Sequence, residues 1–269
     1  MKRLLLAVLA LAAWPAPAAD WRETLSAPKP GAFAPLPPLR AQYRLGWGVV
    51  PAARAELVFA RQGAGEQQLT MTTATTGGVR ALWRLDARHE AVCRLATLRP
   101  LRLDQTETYR DEIERSRVTF DATGLTRLHE STPLGRPTPA RVKPPKPRRL
   151  ELPNVFDLQT TLLFIRSQRL DPGERYRLVV YPSTSAFLAE IAVVGREKIA
   201  VAGQTWPAVK LDIKLQTVNR DLALGPHRKF RKASAWLSDD RERLLLKTTA
   251  EVFVGRVWLE LERVERALK

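Results

Sequence analysis

Val209-Lys210-Leu211-Asp212-Ile213-Lys214-Leu215-Gln216-Thr217 alternates apolar and polar residues without a break. Successive side chains of an extended strand point to opposite faces, so this stretch predicts a strand with one apolar and one charged face. Val257, Leu259 and Leu261 repeat the scheme against Trp258, Glu260 and Glu262, and Tyr43, Leu45 and Trp47 repeat it against Gln42 and Arg44. Turn-forming residues separate such runs: Gly48 to Pro51, Asp121-Ala122-Thr123-Gly124, Ala202-Gly203-Gln204, Ser238 to Asp240, and Gly255. These residues favour turns because glycine tolerates positive φ and aspartate bonds nearby backbone amides. About a dozen strands in hairpin succession follow, so the sheet is expected to be mainly antiparallel.

One segment changes period. Val155, Leu158, Leu162 and Ile165 recur at helical spacing, widened by Phe156 and Leu163, and predict a helix over residues 154–168. Asn154 is its expected cap, Asp157 complements its N-terminus, and Asp171-Pro172-Gly173 stops it. Leu158, Leu162 and Ile165 are expected to be buried against the sheet. A shorter helical turn is expected at Val79 to Trp83. The predicted fold is mainly β: a large curved antiparallel sheet, half-barrel or barrel-like, with one central amphipathic helix on its concave face. Asp104 to Arg117 carries polar residues on both faces, so that hairpin is expected to project beyond the core or to be wet on both sides.

The N-terminus reads as an export signal over residues 1–18. Met1-Lys2-Arg3 is cationic, Leu4 to Trp14 is apolar, and Ala16-Pro17-Ala18 places small residues where a signal peptidase reads them. Cleavage is expected after Ala18, giving a periplasmic protein. Residues 19–39, with Pro28, Pro30, Pro35, Pro37 and Pro38, read as an extended, proline-rich linker. Residues 40–266 form a single β-rich domain. No later run is apolar enough for a transmembrane helix, and Cys93 is the lone cysteine, so the fold must hold by packing alone. An integral outer-membrane barrel is disfavoured by charged strand faces such as Lys210/Asp212/Lys214, which lipid would penalise.

Several stretches resemble the exported bacterial proteins grouped as domain-of-unknown-function family 3108. They are Tyr43-Arg44-Leu45-Gly46-Trp47-Gly48 with Pro51-Ala52, Thr76-Gly77-Gly78-Val79-Arg80-Ala81-Leu82-Trp83, and Asp157-Leu158 to Leu162-Leu163-Phe164-Ile165-Arg166. Val194-Gly195-Arg196-Glu197 with Val201 to Thr205, and Trp236-Leu237-Ser238-Asp239-Asp240, complete the set. The resemblance implies a β-rich envelope protein and carries no catalytic residues with it.

No constellation of catalytic type is legible. His89, His129 and His227 are far apart, and no pair has metal-ligand spacing. His89 and Glu90 are adjacent on a strand and point to opposite faces. Asp239-Asp240 reads as a hairpin turn, and Cys93 as a buried, inert thiol. No cofactor is expected. The formal charge is +16, and the signal carries two of those charges, leaving +14. Ten of these lie in two segments. Residues 133–153 form a proline-stiffened loop holding Arg136, Arg141, Lys143, Lys146, Arg148 and Arg149; residues 220–232 add Arg220, Arg228, Lys229, Arg231 and Lys232 against Asp221. Charge so concentrated favours anionic partners. Export excludes nucleic acid and leaves anionic lipid headgroups or acidic envelope glycan. The expected function is therefore a non-catalytic envelope module that binds or scaffolds an apolar ligand, lipid or envelope protein. The alternative is an envelope glycan- or lipid-modifying enzyme.

Overall fold

The computed structural model describes residues 20–32, 36–63, 65–135, 146–227, 230–252 and 255–266. The stretch expected to be an export signal, residues 1–18, therefore lies outside the described residues. Eight strands come first: β1 (Leu39–Trp47), β2 (Val50–Gln62), β3 (Glu66–Thr75), β4 (Asp86–Arg94), β5 (Pro100–Thr108), β6 (Glu112–Phe120), β7 (Gly124–Pro133) and β8 (Arg148–Glu151). A short helix, α1 (Gly77–Leu82), joins β3 to β4. Then come β9 (Val155–Phe156), α2 (Leu158–Ser167), β10 (Arg175–Val180), β11 (Ala186–Val201) and β12 (Gln204–Val218). The last four strands are β13 (Leu224–Pro226), β14 (Phe230–Ser238), β15 (Leu245–Val252) and β16 (Gly255–Arg266).

All sixteen strands belong to one sheet, in the order β8 to β1, then β16, β15, β14, β12, β11, β10 and β9, with β13 beside β12. The first and last strands thus pair at mid-sheet, Tyr43 opposite Leu261 and Leu45 opposite Leu259. The two sheet edges, β8 and β9, are neighbours in sequence. Every ladder is antiparallel except β9 with β10, which α2 connects as a parallel crossover. The large β-rich sheet with a central helix is the expected fold.

Alternation explains most of it. In β1, Leu39, Ala41 and Tyr43 are buried while Arg40 and Arg44 are exposed. Register carries that face across the sheet, Leu57 opposite Met71 and Leu103 opposite Val118. Near the β9 edge the alternation gives way to a continuous run, Leu178-Val179-Val180-Tyr181, all buried. Leu178 and Val180 pack with Phe164 and Ile165 of α2, whereas Val179 and Tyr181 pack with Leu69, Leu103, Val118 and Leu125. A strand covered on both faces needs apolar residues on both, hence the run.

The helix differs from expectation in its start and its face. Asn154 has φ +47°, a left-handed conformation that caps no helix, and Val155 and Phe156 pair with Val179 and Val180. Asp157 is the cap instead, accepting from Thr160 N at 2.9 Å, while Thr160 Oγ1 accepts from Asp157 N at 3.2 Å. Leu158 is 54 % exposed and Leu162 half-buried; Leu163, Phe164 and Ile165 carry the packing. Because α2 lies between layers, residues on adjacent positions are buried together, which a single-stripe pattern does not anticipate. Arg166 is also buried. Its guanidinium donates to Glu242 O at 2.8 Å, and Arg243 Nη1 donates to Arg166 O at 2.8 Å, pinning the helix end to the 239–244 turn.

Two further expectations change. The proline-rich segment starts with a 3-10 turn, Trp21–Thr24, and is held against the domain: Trp21 Nε1 donates to Leu222 O at 2.8 Å, and Ser26 N to Arg177 O at 2.9 Å. Gly31 N donates to Ser167 Oγ, and a Cβ at Gly31 would fall 2.0 Å from Ser167 O, so only glycine permits that approach. Of the two forms expected for the polar β5–β6 hairpin, it does not stand free, being paired between β4 and β7 along its length, and most of its residues are partly exposed on both faces.

Candidate functional site

Antiparallel succession sorts the connections onto two rims. One rim collects 48–49, 76–85, 109–111, 181–185 and 219–227, together with Leu134-Gly135 at the end of β7. Hydrogen bonds tie its neighbours. Gly48 N donates to Arg256 O at 2.8 Å, Thr76 N to Ala52 O at 2.9 Å, and Leu134 N to Asp111 O at 2.7 Å; Arg110 donates to Ala81 O. This rim displays Val49 (95 % exposed), Leu82 (88 %), Trp83 (55 %) and Trp47 (52 %), with Val50 and Leu134 also exposed. Among the described residues, the other exposed large apolar side chains are Leu128, Leu158 and Val194.

The opposite rim is polar and internally paired. Asp240 Oδ1 accepts from Ser238 Oγ, Glu242 N and Arg243 N, so Asp239-Asp240 is the expected turn. Arg196 meets Asp239 at 3.0 Å and Arg266 meets Glu242 at 2.6 Å.

Of the ten basic residues, the structure describes the side chains of Lys146, Arg148, Arg149 and Lys232. Arg136, Arg141, Lys143, Arg228 and Lys229 lie outside the described residues, as does the side chain of Arg231. Gly135 and His227, the described residues that precede them, both lie on the aromatic rim. The first basic segment ends elsewhere: Arg148 and Arg149 pair with Arg127 and Thr126 near the start of β7. There Arg149 grips Asp121 with contacts of 2.5 and 2.9 Å and holds its carboxyl far below the usual carboxylate range. Lys146 and Arg148 are exposed, and Lys232 stands exposed opposite Glu251.

The concave face is filled. Leu69, Leu103, Leu125, Leu163 and Val179 are wholly buried, so the apolar side chains are occupied with one another. Cys93 is buried among them, its thiol pushed up to about 12 by desolvation. A hollow of about 590 Å³ is instead an open trough over Gln42, Arg54, Glu56, Thr72, Asp86 and Arg88. Another, about 470 Å³, crosses β12 to β16, with Lys210 Nζ 5.4 Å from the Trp236 ring centre.

A polar set missed in the sequence lies on the face of β4–β7 that is otherwise apolar. His89, Gln105, Ser116 and His129 stand in one cross-strand row. His89 Nε2 lies 2.9 Å from Glu107 Oε1, Tyr109 donates to Glu107 Oε2 at 2.6 Å, and Ser116 Oγ lies 3.0 Å from His129 Nδ1. Arg127 Nη2 donates to Ser116 Oγ at 3.2 Å. The bond to His89 lowers the Glu107 pKa against the opposing effect of burial, with a further contribution from Tyr109. Burial and Glu107 together raise the Tyr109 phenol. These residues edge a cavity of about 240 Å³ lined by Gln105, Glu107, Tyr109, Glu114, Ser116, Arg127, Ser183 and Thr184. Four strands and two connections supply them, so no sequence spacing announces the set. The one available signal was the polar character of β5 and β6.

This architecture defines a class: single-sheet, barrel-like β domains with one crossover helix. The "beta-barrel-like protein of domain of unknown function DUF1849" from Brucella abortus has the same fold, at 11 % identity and a TM-score of 0.57, over 88 % of this chain and 100 % of that one. The chain belongs to the family described as "Protein of unknown function (DUF3108)", whose model matches residues 42–262. A putative exported protein with a YmcC-like fold from Bacteroides fragilis is more distant, at 8 % identity and a TM-score of 0.37, covering 87 % of this chain and 99 % of that one. No curated protein matches the chain.

Proposed function

We propose that this is an exported, non-catalytic envelope module that docks by its aromatic rim on an anionic lipid surface. The observation that carries this reading is the sorting of surface chemistry. Six exposed apolar side chains share the rim on which Gly135 and His227 lie, next to both basic segments in sequence. Tryptophan suits the headgroup level of a bilayer, and each basic residue near an anionic leaflet contributes about 1 kcal/mol. No helix among the described residues is long and apolar enough to cross a membrane. The filled concave face favours surface docking over an enclosed apolar ligand.

The test is sedimentation of the mature chain, beginning at Ala19, with vesicles of neutral lipid or neutral lipid plus phosphatidylglycerol. Binding is expected only with the anionic lipid and should weaken steeply as salt shortens the Debye length to about 8 Å. A variant with Arg136, Arg141, Lys143, Arg228 and Lys229 changed to Gln should lose it while retaining its circular dichroism. Equal sedimentation of wild type and variant overturns the reading, as does retention on acidic glycan resin without vesicle binding.

A further inference from the structure

On β14, β15 and β16, the face opposite Ala235, Leu237, Leu246 and Leu261 is turned away from the core. Cross-strand partners share a face. Register there sets Ser234 beside Thr249, with Lys232 beside Glu251 in the row before and Trp236 beside Lys247 in the row after. Short side chains ringed by long ones make a dish, and this is the hollow of about 470 Å³. Trp258, next to Thr249 in the same row, forms one side of it. Trp258 also stands opposite Gly46 of β1. A Cβ on Gly46 would lie 2.2 Å from Trp258 Cζ2, so the indole rests where that side chain would have been. Trp258 Nε1 donates to Gly48 O at 2.9 Å, and Trp236 Nε1 donates to Glu197 Oε1. Lys210 Nζ stands over the Trp236 ring, 5.4 Å from its centre. Trp258 is half-buried, pinned at its edge and backed by Gly46, so what it gives the hollow is its other face.

Charge and aromatic surface together select an occupant. Lys210, Lys232, Lys247 and Arg256 line the hollow against Glu251 and Glu260. Lys247 is committed to Glu260 at 2.6 Å, while Arg256 reaches Glu251 only at 3.9 Å. Among the described residues, Lys210 and Lys232 have no carboxylate within ion-pair distance. The face of an aromatic ring is negative and attracts the weakly positive C–H side of a sugar ring. Unpaired ammonium groups add a charge-assisted contact to an acid group, and the Thr249 hydroxyl at the centre both donates and accepts. A neutral sugar leaves the lysines without partners, and a free inorganic anion leaves Trp258 bare. The volume lies in the range of small-ligand sites.

We propose that this hollow binds an acidic saccharide, with one sugar ring on Trp258 and its acid groups met by Lys210 and Lys232. Tetragalacturonate, titrated calorimetrically into the mature chain, supplies the acid free in solution. Neutral vesicles carrying glucuronosyl diacylglycerol, in a sedimentation assay, supply it as a lipid headgroup. Maltotetraose and vesicles carrying glucosyl diacylglycerol are the uncharged controls. At least one acidic form should bind about tenfold or more tightly than its control, and which one does so identifies the source. Changing Lys210 and Lys232 together to Gln should erase that difference. Thr249→Phe fills the hollow without changing its charge and should abolish binding of the acidic form, with circular dichroism unchanged. Neither variant touches Arg136, Arg141, Lys143, Arg228 or Lys229, so vesicle docking through the rim and saccharide binding fail separately. The proposal is overturned if neither acidic form binds better than its control, or if Thr249→Phe binds like the wild type. Tighter binding of an oligothymidylate of equal charge overturns it as well.

Discussion

The two rims of the sheet are built from the same hairpins, yet they use their side chains in opposite ways. The rim of the 121–123 and 239–244 turns spends its charges internally, Arg149 on Asp121, Arg266 on Glu242 and Arg196 on Asp239. It is also where the end of α2 is fastened by Arg166 and Arg243. The aromatic rim is tied mainly through its backbone and leaves Val49, Leu82 and Trp83 facing outward. A surface whose polar groups satisfy one another has little left to offer a partner. One whose backbone is satisfied and whose apolar side chains are not has a great deal.

If this contrast holds, stability belongs to the helix-bearing end and recognition to the other. The largest effect is expected in α2. Leu163→Asp places an unpaired carboxylate in the core and should cost more than about 4 kcal/mol in denaturant unfolding, whereas Leu158→Asp should change stability by no more than about 0.5 kcal/mol. Equal effects at the two positions would show that the helix is not seated between layers.

A smaller effect, conditional on pH, is expected at the helix cap. Burial raises the Asp157 pKa to about 6 from 3.8. Below pH 3.8 both folded and unfolded chains hold the proton and the group contributes nothing. Between there and pH 6 only the folded chain holds it, so rising pH removes stability; above pH 6 the loss is complete. Asparagine caps as well and does not ionise. Asp157→Asn should therefore match the wild type near pH 4 and exceed it by about 3 kcal/mol at neutral pH. A gap that is absent, or that narrows as pH rises, would contradict this account.

The smallest effect on stability is expected on the aromatic rim. Val49→Ser with Leu82→Ser should move the unfolding free energy by no more than about 0.5 kcal/mol. The same pair should reduce sedimentation with anionic vesicles, which separates the roles of the two rims in a single variant.

Much of the fold was legible because a period of two survives wherever one sheet face meets the core. Val209 to Thr217 and Tyr43 to Trp47 carry it plainly. Where a strand is covered twice, as at Leu178 to Tyr181, the alternation vanishes and only the apolar run remains. The helix start was misplaced because Asn154 and Asp157 are both good caps, and nothing local reveals that Val155 and Phe156 pair with β10. Of the candidate site, the basic segments were visible as charge, but their division was not: Arg149 finds Asp121 only through the β7–β8 ladder. His89 and Glu107 could not have been joined from sequence, since they meet by the register of β4 with β5.

The pairing of β1 with β16 has a consequence in time. A chain emerging from the ribosome holds an unsatisfied first strand until its last one arrives more than two hundred residues later. Contacts so distant in sequence close slowly. The N-terminal half therefore cannot complete its sheet early, and the chain stays unfinished until its synthesis is nearly over. Truncation before Gly255 should leave β1 and β15 as bare edges, so that the shortened protein aggregates with copies of itself through the strands that β16 would have joined.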